Sequence, residues 1–437
     1  MFGYSMVQMV RSHAHKLDHS LRDLILNLYK PFKWTPCFLH DFFEGSIKKR
    51  KKLSVIIEFE EGCFQDGCQV VDEILGRHKK NGMRHHFHRI SCSSADLTPN
   101  GLEEILANCS HIKKVYLNSE VKAFLNVAVR SANAKGIVRN GKELTGSGVK
   151  IAIVDTGIYP HPDLSGRITD FVDFINNRTT PYDDNGHGTH CAGDAASASI
   201  KYTGPAPKAN LVGVKVLDRT GSGSLETIMR GVDWCIQYNE QNSADKIDII
   251  SMSLGSTPRT YRLENQDPMV KIVESAWQSG IVVCVAAGNE GPDRSTIASP
   301  GISDRVITVG AFDDKDTLQR TDDDVASFSS RGPTIYNVKK PDILAPGVDI
   351  VSLRSPNSYL DRAQKNSRVE SNYFALSGTS MATPICAGIV ALIKESNPQI
   401  SPDDIKNLLA SGTILWKDRD YNVYGAGYID ANNSIPK

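Results

Sequence analysis

Apolar residues change their spacing twice along the chain, and each change marks a new kind of element. Near the start, Val7, Val10, Ala14, Leu17, Leu21, Leu24 and Leu28 recur at alternating steps of three and four. That period predicts one amphipathic helix ending before Pro31. Its stripe packs against its own protein or, at the short end of what a coiled coil needs, against a partner helix. Lys48, Lys49, Arg50, Lys51 and Lys52 follow as a charge run and read as a solvated linker.

From 53 the texture is that of a small α+β unit. LSVIIEFE (53–60) and MRHHFHRI (83–90) read as strands, with a helix between them that carries Val70, Val71, Ile74 and Leu75 on one face. GLEEILANC (101–109) is a second helix and IKKVYL (112–117) a further strand. The order β-α-β-α-β, with a fourth strand at 120–125, predicts a split βαβ, ferredoxin-like sandwich. His86 and His88 share a face of the second strand, but neither carboxylate nor cysteine is paired with them, so no metal site is assigned there. Residues 126–147 are small, polar and glycine-containing, as in a linker.

Beyond 148, short apolar runs alternate with helical patterns. KIAIV (150–154), NLVGVKVL (210–217), DIISMSL (248–254), IVVCVAA (281–287) and RVITVG (305–310) have the composition of strands buried on both faces. Ile228, Val232, Cys235 and Ile236, and then Val270, Val273 and Trp277, recur at helical spacing. The fold class is therefore α/β, a mainly parallel sheet with helices on both faces. Met381 to Ile393 carries no charge, and such a stretch covers only about 20 Å of helix, so it predicts a helix buried in the domain. The domain boundaries that follow are 1–52, 53–125, 126–147 and 148–437.

Charge and cysteine content narrow the classes. Lys+Arg and Asp+Glu both number 50 in 437 residues, a balance unlike that of a protein whose first task is to coat nucleic acid or a membrane. No run reaches the ~18 apolar residues of a membrane helix. The first twenty residues lack an unbroken apolar core and a small-residue cleavage site, so no secretory signal is visible. Nine cysteines, an odd set without paired spacing, read as free thiols of a reducing compartment, and the cytoplasm is the expected location.

Three loops carry the candidate chemistry. The strand KIAIV ends in Asp155-Thr156-Gly157. Asn185-Gly186-His187-Gly188-Thr189-His190 opens one helix, and Ser377-Gly378-Thr379-Ser380-Met381-Ala382-Thr383-Pro384 opens the buried one. Loops at the carboxyl ends of strands meet in one crevice of an open α/β sheet, however far apart in sequence. A serine hydroxyl needs a neighbouring base as it attacks, and neutral imidazole suits that task near pH 7. A carboxylate on the other ring nitrogen fixes the tautomer and stabilises the imidazolium. Ser380 at a helix start has the positive end of the dipole beside it, and Pro384 is placed in the first turn, where a missing donor matters little. Asn289, after the strand IVVCVAA, offers a side-chain amide to a tetrahedral oxyanion.

The segments IVDTGI, NGHGTHCAG, AAGNEG and SGTSMATP resemble the subtilisin-like serine proteases, over about residues 146 to 435. The resemblance implies Asp155 as orienting carboxylate, His187 as general base and then acid, Ser380 as nucleophile and Asn289 as oxyanion donor. It also implies that Gly221-Ser222-Gly223 and Ser253-Leu254-Gly255 form two extended edges that hold substrate backbone as an added strand, so peptide specificity is broad. The unit at 53–125 is similar to the family's inhibitory propeptides. That implies a self-processing zymogen whose own N-terminal domain caps the site, with cleavage between Phe124 and Val127; a permanent accessory domain is the other reading. No redox or nucleotide cofactor is implied.

Several positions depart from the family pattern. DAASASIKYTGP, after Gly193, is shorter than the usual calcium loop, which leaves Asp163 as a lone matching carboxylate, either a ligand of a doubtful structural calcium or a capping residue. Ala298 stands where relatives often have glycine at the floor of the first specificity pocket. Ile385 and Cys386 suggest repacking behind the nucleophile. Cys191, four residues after His187, faces the imidazole's side of a helix, either as a small buried hydrophobe or as a thiol whose modification displaces His187. A peptide ligase would use the same residues, whereas a peptide-binding module that had lost catalysis would lack at least one of the four, and none is lacking.

Overall fold

The computed structural model describes residues 5–29, 44–45, 47–49, 51–78, 80–118, 120–123, 132–258, 260–315, 323–413 and 419–436. The chain divides into two units, residues 1–119 with 259–261, and residues 120–258 with 262–437.

In the first unit the single N-terminal helix expected from the period is two helices, α1 (Ser5–Ser12) and α2 (His19–Tyr29). Asp18 causes the break. Its carboxylate accepts from the backbone of Ser20 and Leu21, capping α2, and also from Leu117 N at 2.9 Å. The apolar stripe survives the break and is covered within the unit: Val10, Leu17, Leu21 and Ile25 join Val55, Ile57 and Val115 in one core.

The rest of this unit runs β1 (Leu53–Phe59), α3 (Phe64–Leu75), β2 (Gly82–Phe87), β3 (Cys92–Leu97), α4 (Pro99–Asn108) and β4 (Ile112–Leu117). Its antiparallel sheet has the order β2-β3-β1-β4. The split βαβ plan is therefore present, but the strand missing from the sequence reading is β3, whose short polar run CSSADL hid it. His88–Ile90 form a 3₁₀ turn after β2, so His86 and His88 do not share a strand face. Two members of the basic run are engaged, Lys48 with Glu103 and Lys52 with Asp96.

The strand at 120–125 belongs to the second unit, as β5 (Glu120–Ala123). There the main sheet contains β6 (Lys150–Asp155), β7 (Ile168–Asp173), β8 (Asn210–Lys215), β10 (Ile249–Met252), β12 (Val282–Ala286), β13 (Ile307–Asp313), β14 (Asp324–Val325) and β15 (Ile343–Pro346). Its order is β14-β13-β12-β10-β6-β8-β7, with β15 also on β13, and only β14 pairs antiparallel. Every residue of β6, β10 and β12 is buried, as their unbroken apolar runs require. Two short edges, β9 (Ser222–Ser224) and β11 (Leu254–Gly255), lie outside this sheet.

Four helices matter for the site: α5 (His187–Ala196), α6 (Leu225–Gln241), α7 (Pro268–Gln278) and α8 (Thr379–Ser396). Ser224 starts α6 with a capping box to Thr227. Buried from Thr379 to Lys394, α8 is the core helix its uncharged run predicts. Part of the expected linker is fixed in place, because Arg139 donates to the backbone carbonyls of Asn432, Ile435 and Pro436. No helix among the described residues is long and apolar enough to cross a membrane.

Candidate active site

Three neighbouring parallel strands deliver the site. β10 lies between β6 and β12, and their carboxyl ends lead to Ser253, Asp155 and Asn289 respectively. This is where an open parallel sheet presents its ligand crevice.

His187 is the first residue of α5. Gly186 precedes it with φ +105°, a conformation that favours glycine. Gly188 is required by proximity: a Cβ there would lie 2.2 Å from Gly157 O. The helix can thus sit against the loop after β6, and His187 Nδ1 meets Asp155 Oδ1 at 2.8 Å and Oδ2 at 3.0 Å. Both residues are fully buried. Burial alone would push the imidazolium down, but the Asp155 carboxylate outweighs it and holds the His187 pKa well above 6.5. With Nδ1 bonded to Asp155, Nε2 is the ring nitrogen that faces away from that carboxylate.

Asp183, which the sequence reading did not single out, binds these two loops to one another. It accepts from Thr156 Oγ at 2.9 Å, next to Asp155, and from Asn185 N, Gly186 N, Thr189 N and Thr189 Oγ around the start of α5. The pattern Asp-x-x-Gly ahead of a helix was a usable signal, since a carboxylate placed there meets unpaired helical N–H groups.

Ser380 is the second residue of α8, so the dipole placement holds. Pro384, however, is the sixth residue and lies in the second turn. It has no N–H to give to Ser380 O. That carbonyl accepts instead from the Ser253 hydroxyl at 2.6 Å, and Cys191 Sγ lies 3.5 Å from it. The Ser380 hydroxyl is 3.4 Å from Ser253 O. Cys191 is also 3.8 Å from His187 Nδ1 and 3.9 Å from Asp155 Oδ2. One thiol therefore touches all three segments of the constellation. Burial pushes its pKa up to about 12, so it stands beside His187 as a neutral thiol.

Asn289 is turned by Thr379, whose N and Oγ both donate to Asn289 Oδ1, at 3.0 and 3.1 Å. With the carbonyl oxygen so occupied, the Nδ2 amide is the group Asn289 has left to donate toward an anion. Ala298 sits directly under this loop. Its N donates to Ala287 O at 2.8 Å, and its methyl lies 3.2 Å from where a Cβ on Gly288 would be. Ser299 bridges to Ser256, just past Leu254 and Gly255. Behind α8, the buried Cys386 thiol meets Cys284 on β12, and Ile385 is buried beside it.

The two edges expected to bind substrate hold a strand. β5 runs antiparallel to both, with Ser222 opposite Lys122, Gly223 opposite Val121 and Ser224 opposite Glu120 on one side, and Leu254 opposite Ala123 and Gly255 opposite Lys122 on the other. Gly221, at φ +81°, turns the chain into the first edge. The cleavage region expected at Phe124 to Val127 lies outside the described residues.

Asp163 does not fit a calcium cradle. Its Oδ2 accepts from the Tyr373 hydroxyl at 2.8 Å, its main-chain oxygen accepts from Ala198 N and Arg167, and Ser199 Oγ extends the network to Tyr373 at 3.0 Å. The carboxylate is thus engaged by the Tyr373 hydroxyl and the main-chain oxygen by N–H donors, whereas calcium takes six to eight oxygens.

A hydroxyl at a helix start, an imidazole paired with a buried carboxylate and a side-chain amide oriented by Thr379, set at the carboxyl end of a mainly parallel sheet, are the parts of a serine hydrolase. Residues 146–427 match the Subtilase family, and the chain belongs to it. It is a serine endopeptidase that hydrolyses peptide bonds through an acyl-enzyme with an Asp-His-Ser triad. Among curated proteins it is 62% identical to "Serine protease AprX" of Bacillus subtilis (strain 168), over the whole of both chains. It is 35% identical to "Thermostable alkaline protease" of Halalkalibacterium halodurans, over 89% of this chain and 92% of that one. Fervidolysin from Fervidobacterium pennivorans, described as a keratinolytic enzyme related to subtilisin, shares the fold with a TM-score of 0.67 at 19% identity, covering 88% of this chain and 61% of its own.

Proposed function

We propose that Ser380 is the nucleophile, His187 the general base and then acid, Asp155 its orienting carboxylate and Asn289 the side-chain oxyanion donor. Ser380 Oγ attacks the scissile carbonyl carbon as His187 Nε2 takes its proton. The tetrahedral oxyanion is met by Asn289 Nδ2, and His187 returns the proton to the leaving amine. Water then repeats the sequence on the acyl-enzyme. Gly221, Ser222 and Gly223 on one side, and Ser253, Leu254 and Gly255 on the other, hold the substrate by its main chain, and Ala298 lies at the floor of the first pocket. Backbone pairing on both edges favours broad specificity over side-chain readout.

The enzyme is further a zymogen in which residues 53–125 act as propeptide and intramolecular inhibitor. The observation that carries this reading is β5, the chain's own segment lying as the middle strand between the two substrate edges. Ala123 stands opposite Leu254, next to the Ser253 that touches Ser380, and the residues that follow it in the chain, Phe124 to Val127, hold the bond proposed to be cut. The chemistry itself needs no cofactor, and the hydrogen-bonded surroundings of Asp163 favour a fold held there without calcium. Protein and peptide substrates, not nucleic acid, suit the balanced charge. The eight described cysteines are free thiols, which supports a reducing, cytoplasmic location.

The test is to follow purified full-length protein by N-terminal sequencing while it acts on casein. A new N-terminus at Leu125, Asn126 or Val127 should appear with activity, and Ser380→Ala should show neither. Full activity with the start at Met1 intact defeats the zymogen reading; turnover by Ser380→Ala defeats the assignment of the nucleophile.

A further inference from the structure

Beyond His187, α5 carries a second histidine and carboxylate that the mechanism leaves unused. His190 and Asp194 follow His187 by three and seven residues, one and two turns along the helix, and both are buried. His190 Nδ1 meets Asp194 Oδ2 at 2.9 Å, and its Nε2 meets the carbonyl oxygen of Phe374 at 3.0 Å. Phe374 lies on β17 (Tyr373–Leu376), which pairs with β16 (Ile350–Leu353), and Ser352 is its register partner. Ser352 Oγ in turn donates to His190 O at 2.9 Å. One residue of α5 is thus bonded to both strands at a single rung. β17 ends four residues before Ser380.

Proton counting defines the pair. A carbonyl oxygen can only accept, so Nε2 carries a proton toward Phe374. Nδ1 and Asp194 Oδ2 then share one further proton, and the pair has no net charge wherever that proton sits. Burial pushes the Asp194 carboxyl up, and the shared proton lets the pair stay out of water without a net charge. A neutral, fully directed pair can be held in a dry core where an unpaired ion cannot.

We propose that His190, oriented by Asp194, is a positioning residue of the protease: it docks the helix that carries His187 onto the strand that feeds Ser380, and so sets the distance between base and nucleophile. The inference rests on the catalytic roles given above. Displacements of about 1 Å in such a constellation are enough to lower turnover by about a hundredfold. His187 is anchored to Asp155 at one end of its ring, and His190 supplies the second anchor of the same helix, on the nucleophile's side.

The test uses full-length protein, with active sites counted by burst titration with a serine-acylating reagent and kcat expressed per titrated site. His190→Phe keeps the ring volume and removes both ring hydrogen bonds; its kcat should fall about tenfold to a hundredfold, with KM changed less than about threefold. His190→Gln, whose amide can still donate to Phe374 O, should recover most of the loss. Should His190→Phe not fold, Asp194→Leu, which spares the Phe374 bond but frees the ring, should lower kcat several-fold. A lower melting temperature with parental kcat per site in these variants would make His190 merely structural, and equal losses in His190→Phe and His190→Gln would remove the bond to Phe374 as the link. Ser380→Ala run alongside separates this outcome from failure of the catalytic assignment, since only the latter leaves that variant active.

Discussion

The Ser253 hydroxyl donates to the main-chain carbonyl of Ser380 at 2.6 Å, taking the place in the helical ladder that Pro384 leaves empty. The same two residues meet again through the Ser380 hydroxyl, 3.4 Å from Ser253 O. A buried carbonyl stripped of such a partner costs about 1–3 kcal/mol. Ser253→Ala should therefore lower kcat by about tenfold and leave KM nearly unchanged, measured on a chromogenic peptide. Parental kcat in the variant would show that the tie is without consequence for turnover.

The pH profile follows from the Asp155–His187 pair. The general base must be neutral to accept a proton, and Asp155 holds the His187 pKa well above 6.5. Protonated His187 therefore persists to higher pH than an ordinary imidazole, and kcat/KM should rise with pH along a limb centred above 6.5. Asp155→Asn removes the charge that sustains the shift, so its residual activity should rise along a limb at lower pH. A wild-type limb centred below 6.5 contradicts this account.

Cys191 makes a chemical prediction. Its protonated thiol should react poorly with iodoacetamide, which needs the thiolate. An organomercurial that does reach Sγ would insert a bulky group 3.8 Å from His187 Nδ1 and stop turnover. Cys191→Ala should resist. Equal mercury inhibition of parent and variant would assign the effect elsewhere.

At Asp163 the expectation concerns metal removal. Because the Tyr373 hydroxyl occupies its carboxylate, a calcium chelator should leave the melting temperature of the protein unchanged. Tyr373→Phe should lower it by about 2 °C, in line with a hydrogen bond worth about 1 kcal/mol. A chelator effect that disappears in Asp163→Asn would place calcium there after all.

The sheet and its site were legible in the sequence for one physical reason: strands buried on both faces must be apolar throughout. IAIV and IVVCVAA are, and the polar residues that follow such runs are Asp155 and, after Gly288, Asn289. What was not legible depended on contacts across the fold. Asp18 starts α2, and Leu117, far along the chain, also donates to it. β3 is polar enough to pass for a loop. The strand 120–123 is too short for its pattern to say which sheet it joins. Pro384 looked like a first-turn residue because nothing local reveals that Ser253 would serve the orphaned carbonyl of Ser380. Asp183 and the His190–Asp194 pair lay inside recognisable stretches, but their importance comes from partners that only folding brings near.

Neighbouring strands of a sheet lie about 4.8 Å apart, and Asp155, Ser253 and Asn289 leave three consecutive ones. The lateral pitch of the catalytic parts is thus borrowed from backbone architecture common to any chain with this strand order. Crossover segments between those strands can lengthen, shorten or drift in composition on the outer surface without retuning the chemistry, whereas a change in strand order would have to invent its spacing anew.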